Sequence, residues 1–270
     1  MDLYPLLMTP CYLHGDATPW GGHALRELFM KDAPETVTGA SLEVCAREDC
    51  ASLVSNGFHA AKSLYRMAGL WGSELTDGAF PLTATLLDIR DAAAGFECAG
   101  PAAWVILNAE PGAKLNGLPA RPGDVFYIPA GVACAPEGEM QCYELRGVKT
   151  SERAEGAPVK NEGTTVLCKG GSRTYYVSDG DIELCCLNVS GRMPLEDERM
   201  LLLTAMGGCE LVWGDERLFL DPFQTVVIPA ALGDVAVVGD TKALMAAVSN
   251  RPALTKELGY RAENVAGLTE

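Results

Sequence analysis

Residues 122–130 read Pro-Gly-Asp-Val-Phe-Tyr-Ile-Pro-Ala, and residues 222–230 read Pro-Phe-Gln-Thr-Val-Val-Ile-Pro-Ala. The two stretches lie 100 positions apart and follow one plan. Each opens on a turn, continues as a short apolar strand and stops at a proline, which has no N–H to give to a ladder. A repeat at this spacing predicts two β modules of the same design in one chain.

The residues around the repeat carry the same signal. Leu82 to Ile89, Trp104 to Asn108, Arg173 to Val177, Ile182 to Val189, Met200 to Met206, Glu210 to Trp213, Leu218 to Leu220 and Val235 to Val238 are short apolar runs parted by turn residues, which is how strands read. Asn116-Gly117, Asp179-Gly180 and Gly214-Asp215 stand at hairpin positions. Helical patterns occur early, over Gly22 to Lys31 and Ala60 to Ala68. The expected fold is all-β: two antiparallel barrels with a few short helices in the N-terminal part. Val148 to Thr164, poor in apolar residues, reads as a crossing between modules at 1–150 and 151–250. A tail follows at 251–270, where Asn250 can cap a helix begun at Pro252.

Composition bounds the function. Of the 270 residues 48% are apolar and 21% charged, which suits a packed core. Acidic residues outnumber basic ones 36 to 21, a formal charge of -15, so a nucleic-acid partner is excluded on electrostatic grounds. The start of the chain does not read as a signal peptide, and no run approaches the ~18 apolar residues of a membrane helix, so no membrane partner is expected. The ten cysteines include the adjacent Cys185 and Cys186 and no C-x-x-C pair. They read as core thiols of a reducing cytoplasm.

The Pro-Gly-Asp turn leading to Ile-Pro-Ala-Gly resembles the second motif of cupins. Pro19-Trp20-Gly21-Gly22, Thr38 to Val44, Phe80-Pro81-Leu82, Leu86-Leu87-Asp88 and Arg121 to Gly131 follow one another in order. With Tyr175-Tyr176-Val177 and the run from Gly207-Gly208 to Pro229, they make the chain similar to the class I mannose-6-phosphate isomerases in their short bacterial form. The resemblance covers nearly everything but residues 251–270. It implies a double cupin and, in active relatives, a zinc ion that binds the sugar phosphate and assists aldose-ketose isomerisation.

The resemblance places the family's zinc ligands at Gly95, Glu97, Ala102 and Cys134. Gly95 and Ala102 have no donor atom, catalytic zinc normally holds three protein ligands, and no histidine lies between His59 and Glu270. Gly39-Ala40-Ser41-Leu42-Glu43 stands for the family's Gly-Glu-Ser-Trp-Glu, so of its two carboxylates only Glu43 remains. Thr85 stands where relatives carry lysine, and Arg146 and Arg153 are out of register with the expected arginine. The expectation is a metal-free, catalytically degraded relative with no catalytic residue, metal ligand or cofactor. Its ligand would be a sugar or sugar phosphate, or its role regulatory or structural. Two other readings stay open: an active zinc isomerase with relocated ligands, and an interaction module whose protein partner the sequence does not name.

Several residues carry a bland reading beside a functional one. His14, His23 and His59 read as surface or cap residues before they read as zinc ligands. Cys134 with Cys98 or Cys142 and Glu97 reads as core thiols, or as a softer metal site. Glu196-Asp197-Glu198 is a solvated acidic run or a hard-cation site. Trp20, Trp71 and Trp104 are core residues or a platform for a sugar ring.

Overall fold

The computed structural model describes residues 4–56, 60–65, 80–90, 95–147, 156–178, 181–197 and 199–248. His59, Trp71, Arg153, Glu198, the Asp179-Gly180 turn and the 251–270 tail lie outside the described residues.

Two antiparallel sheets share one strand order. The first runs Val159–Asn161, Val125–Ile128, Ala102–Ala109, Met140–Gly147, Leu82–Ile89, Thr38–Val44, Cys11–His14. The second runs Leu6–Thr9, Thr225–Ile228, Leu201–Ala205, Val235–Ala247, Glu183–Pro194, Gly171–Ser178, Thr164–Cys168. Leu53–Val54 and Lys62–Ser63 extend this sheet beyond Leu6–Thr9, and a hairpin of Cys209–Trp213 and Glu216–Leu220 joins Val235–Ala247. Registers repeat as well as order. Val125 faces Val105 as Thr225 faces Thr204, and Tyr143 faces Leu86 as Leu244 faces Cys186. Strand, turn and pairing therefore all recur with the spacing of the repeat.

The repeated turn shows how two different sequences reach one geometry. The Arg121 N–H donates to Asp124 Oδ2 at 2.9 Å, and the Asp221 N–H donates to Gln224 Oε1 at 2.9 Å. The residue between is left-handed in both, Gly123 at φ 92° and Phe223 at φ 63°. Gly123 needs no close neighbour to justify it, because a Cβ there would meet nothing. At Phe223 the strained backbone is offset by packing, since its ring meets Phe29 edge-on at 4.7 Å.

Period-two alternation divides the strand residues among three cores. Leu82, Ala84 and Leu86 pack with Tyr143 and Leu145, and against Ile182 and the second-sheet residues Leu184, Leu244 and Ala246. Their neighbours Leu87 and Ile89 turn the other way, to the interior of the first barrel with Trp104, Phe126 and Ile128. In the second barrel Cys185, Leu187 and Val189 fill the equivalent interior. The sheets thus stand back to back, each with a private core.

The structure corrects three expectations. The early helix is one turn, Ala24–Glu27, because Met30 takes a left-handed φ of 53° and Lys31 turns inward to bond Glu43 and the Phe223 carbonyl. In place of a helix at 60–68, Lys62–Ser63 pairs with Leu53–Val54, and residues 66–68 lie outside the described set. Finally, the crossing at 148–164 contains the strand Val159–Asn161, which pairs with Val125, Phe126 and Tyr127. In return Leu6 and Leu7 pair with Val227 and Val226. Each half of the chain thereby lends a strand to the other's sheet.

One buried polar chain crosses the layer between sheets. Lys31 Nζ lies 2.7 Å from Glu43 Oε2 and 2.6 Å from the Phe223 carbonyl, and Ser41 donates to Glu43 Oε1 at 2.6 Å. Thr225 and Thr204 lie 2.9 Å apart and continue it from the other sheet, with Thr225 Oγ1 3.5 Å from Glu43 Oε2. Glu43→Ala would strand the Lys31 ammonium, which is 9% exposed. We expect a loss of about 3–5 kcal/mol in urea unfolding. Gly123→Ala, with space but the wrong φ, should cost about 1–2 kcal/mol by the same measurement.

Candidate functional site

The concave face of the first barrel holds a cavity of about 360 Å³, within the roughly 300–1,000 Å³ typical of small-molecule sites. Alternation selects its walls. Thr83, Thr85 and Leu87 come from one strand, Ala40 and Leu42 from the next, and Glu144 and Arg146 from the strand on the other side. Trp20 and Phe96 add rings that meet edge-on at 4.8 Å. Gly39 makes room for Trp20, because a Cβ there would stand 2.7 Å from the indole ring.

The polar groups are concentrated on one wall. Arg146 Nη2 donates to Glu144 Oε1 at 2.6 Å, and the Trp104 indole donates to the same oxygen at 3.0 Å. Glu144 is buried, whereas the Arg146 side chain is 32% exposed. Burial works against the Arg146 charge, but Glu144 and Cys98 outweigh it and hold the guanidinium protonated more firmly than usual. Arg146 Nη2 also reaches Cys98 Sγ at 3.9 Å, and Cys98 Sγ lies 3.8 Å from Cys134 Sγ. Hydrogen bonding within that pair pulls the Cys98 thiol down and pushes the Cys134 thiol up.

In the second barrel the equivalent positions hold other residues. Glu144 faces Thr85 across the ladder, and the equivalent pair is Met245 with Cys185. Arg146 faces Thr83, and the equivalent pair is Ala247 with Glu183, whose carboxylate is tied to Arg199 at 2.8 Å. Met245, Cys185 and Ala247 belong to the interior core there.

None of the positions singled out in the sequence, Gly95, Glu97, Ala102, Cys134 and Glu43, lines this cavity. Ala102 is buried and faces Arg146 across the ladder. Cys134 is buried against Cys98, and Gly95 lies where a Cβ would stand 3.0 Å from the Cys134 carbonyl oxygen. The Glu97 backbone pairs with Ala133. Glu43 faces the opposite way, into the polar chain between sheets, so it does not line the cavity. Among the described residues no three His, Cys, Asp or Glu side chains are grouped to hold a metal ion. Asp197, in the acidic run, is engaged by Arg199 at 2.7 Å.

Sequence reasoning passed over Glu144 and set Arg146 aside. The signal was the alternation Cys142, Glu144, Arg146 beside Tyr143 and Leu145, which puts both charges on one face of a strand.

No protein-family profile and no curated protein sequence matches the chain. Solved structures do match. The mannose 6-phosphate isomerase from Bacillus subtilis is 18% identical at a TM-score of 0.76, over 90% of this chain and 99% of that one. The mannose 6-phosphate isomerase from Salmonella typhimurium, bound to its substrate fructose 6-phosphate and zinc, is 10% identical at a TM-score of 0.64, over 91% and 100%. Its apo form gives 9% and 0.67, over 91% and 99%. At these identities the likeness is one of fold, and the chain has the double-cupin architecture. Among the described residues no helix is long and apolar enough to cross a membrane.

Burial holds the Cys45 thiol, on the cavity wall, and the Cys209 thiol up to about 11 each. Unfolded thiols ionise near pH 9, so between pH 9 and 11 the folded state binds more protons and stability falls as pH rises. Urea midpoints measured from pH 7 to 11 should be insensitive to these groups below about pH 8 and decline above about pH 9.

Proposed function

We propose that the protein is a cytoplasmic, mannose-6-phosphate isomerase-like double cupin of the short bacterial form that binds a sugar or sugar phosphate in its N-terminal barrel without metal and without isomerising it. The observation that carries this reading is the chemistry at the four positions where the resemblance puts zinc ligands. Gly95 and Ala102 offer no donor atom, and the Cys134 thiol is engaged with Cys98. Moving a proton between C1 and C2 of a sugar phosphate needs a polarised carbonyl and a base near neutral pH. The carboxylate on the cavity wall, Glu144, is occupied by Arg146 and Trp104. An open cavity with one polar wall, at positions whose counterparts Met245, Cys185 and Ala247 are packed into the second core, supports retained binding.

Metal analysis of the purified protein should find no stoichiometric zinc, and a coupled assay should find no interconversion of mannose 6-phosphate and fructose 6-phosphate. Calorimetric titration with mannose and mannose 6-phosphate should detect binding. Thr85→Val should weaken it about threefold to tenfold, the worth of one neutral hydrogen bond. One equivalent of zinc together with turnover would return the relocated-ligand isomerase, and the absence of sugar binding would leave the interaction module.

A further inference from the structure

We infer that the cavity of the N-terminal barrel selects an uncharged, polyhydroxylated ring, an unphosphorylated sugar, over its phosphate ester. The inference rests on the reading of that cavity as a sugar site and concerns which class of sugar it takes. A phosphate monoester brings close to two negative charges, and a buried anion must be met by cations that are free to pair with it.

Two cations line this cavity, Arg146 and Arg47. Arg146, the inner one, gives its Nη2 to Glu144 at 2.6 Å, so this wall carries no net charge. Arg47, at the mouth, is 67% exposed and bonds Asp49 through Nε at 3.1 Å and through Nη2. Solvent screens what remains of its charge. Around both, the protein carries a formal charge of -15, which disfavours an incoming anion further.

Apart from the Arg146 N–H groups not given to Glu144, among them the buried and unpartnered Nε, the polar groups left uncommitted are neutral. Among the described residues, the Thr83 and Thr85 hydroxyls and the Trp20 indole N–H make no hydrogen bond to protein, and all three residues line the cavity. Leu13, Leu42 and Phe96 supply apolar wall. Two hydroxyls, an indole donor and apolar surface suit a ring that presents hydroxyls at its edge and C–H groups on its face.

The test is calorimetric titration of the full chain with D-mannose and with mannose 6-phosphate at fixed ionic strength, with inorganic phosphate as competitor. The free sugar should bind at least as tightly as the ester, and inorganic phosphate should not displace it. Glu144→Gln removes the carboxylate that neutralises Arg146 while keeping an acceptor for Trp104. In that variant the ester should gain about tenfold over the free sugar relative to the parent. If the parent binds the ester more than about tenfold tighter than mannose, and inorganic phosphate competes, this inference is overturned while the sugar-site reading stands. If neither compound binds, both fall. Should Glu144→Gln not fold, the parent's ratio decides alone.

Discussion

Everything in this molecule is subject to the two-residue period of its strands where the sheets meet back to back. A residue of Leu82–Ile89 that faces the other sheet has neighbours that must face the barrel interior. Leu86 and Tyr143 therefore belong to the common layer, and Leu87 and Cys142 to a private core. One slip in register would send the apolar set of the common layer into the cavity and bring Thr85 and Glu144 into the layer. The buried Lys31–Glu43 pair enforces the same register. Its partners come from both sheets, and only one alignment satisfies them all.

Much of this was legible before any coordinates. The Ile-Pro-Ala ends mark strands by a physical rule, and they recur because the second sheet rebuilds the first. The strand at Leu82–Ile89 is found where the apolar run ends. Val235–Ala247 runs well past Val238, because its length is set by the Glu183–Pro194 partner and not by its own hydrophobicity. The strand exchange was not legible, since Leu6–Thr9 and Val159–Asn161 are short and ordinary and their partners lie across the molecule. At Lys62–Ser63 helix propensity yields to a nearby strand edge.

The site was legible in a different sense. Aligning motifs points to Gly95, Glu97, Ala102 and Cys134, which is where a relative's chemistry would be. The polar wall of the cavity lies instead on Glu144 and Arg146, which no motif marks and only strand geometry brings opposite Thr85 and Thr83. Glu43, the carboxylate that the motif resemblance singles out, is held by Lys31 and Ser41 as part of the scaffold.

The traded edge strands also order events during synthesis. Chains emerge N-terminus first, and domains generally fold as units while they emerge. Here the Val125–Ile128 strand stays a bare edge until Val159–Asn161 has left the ribosome. Leu6–Thr9, made among the first residues, has no permanent partner on that side until Thr225–Ile228 follows it. The nascent chain therefore carries an unpaired edge for most of its length, a state in which neighbouring copies could pair with it. Neither sheet has all its strands until residues from both halves of the chain have been made.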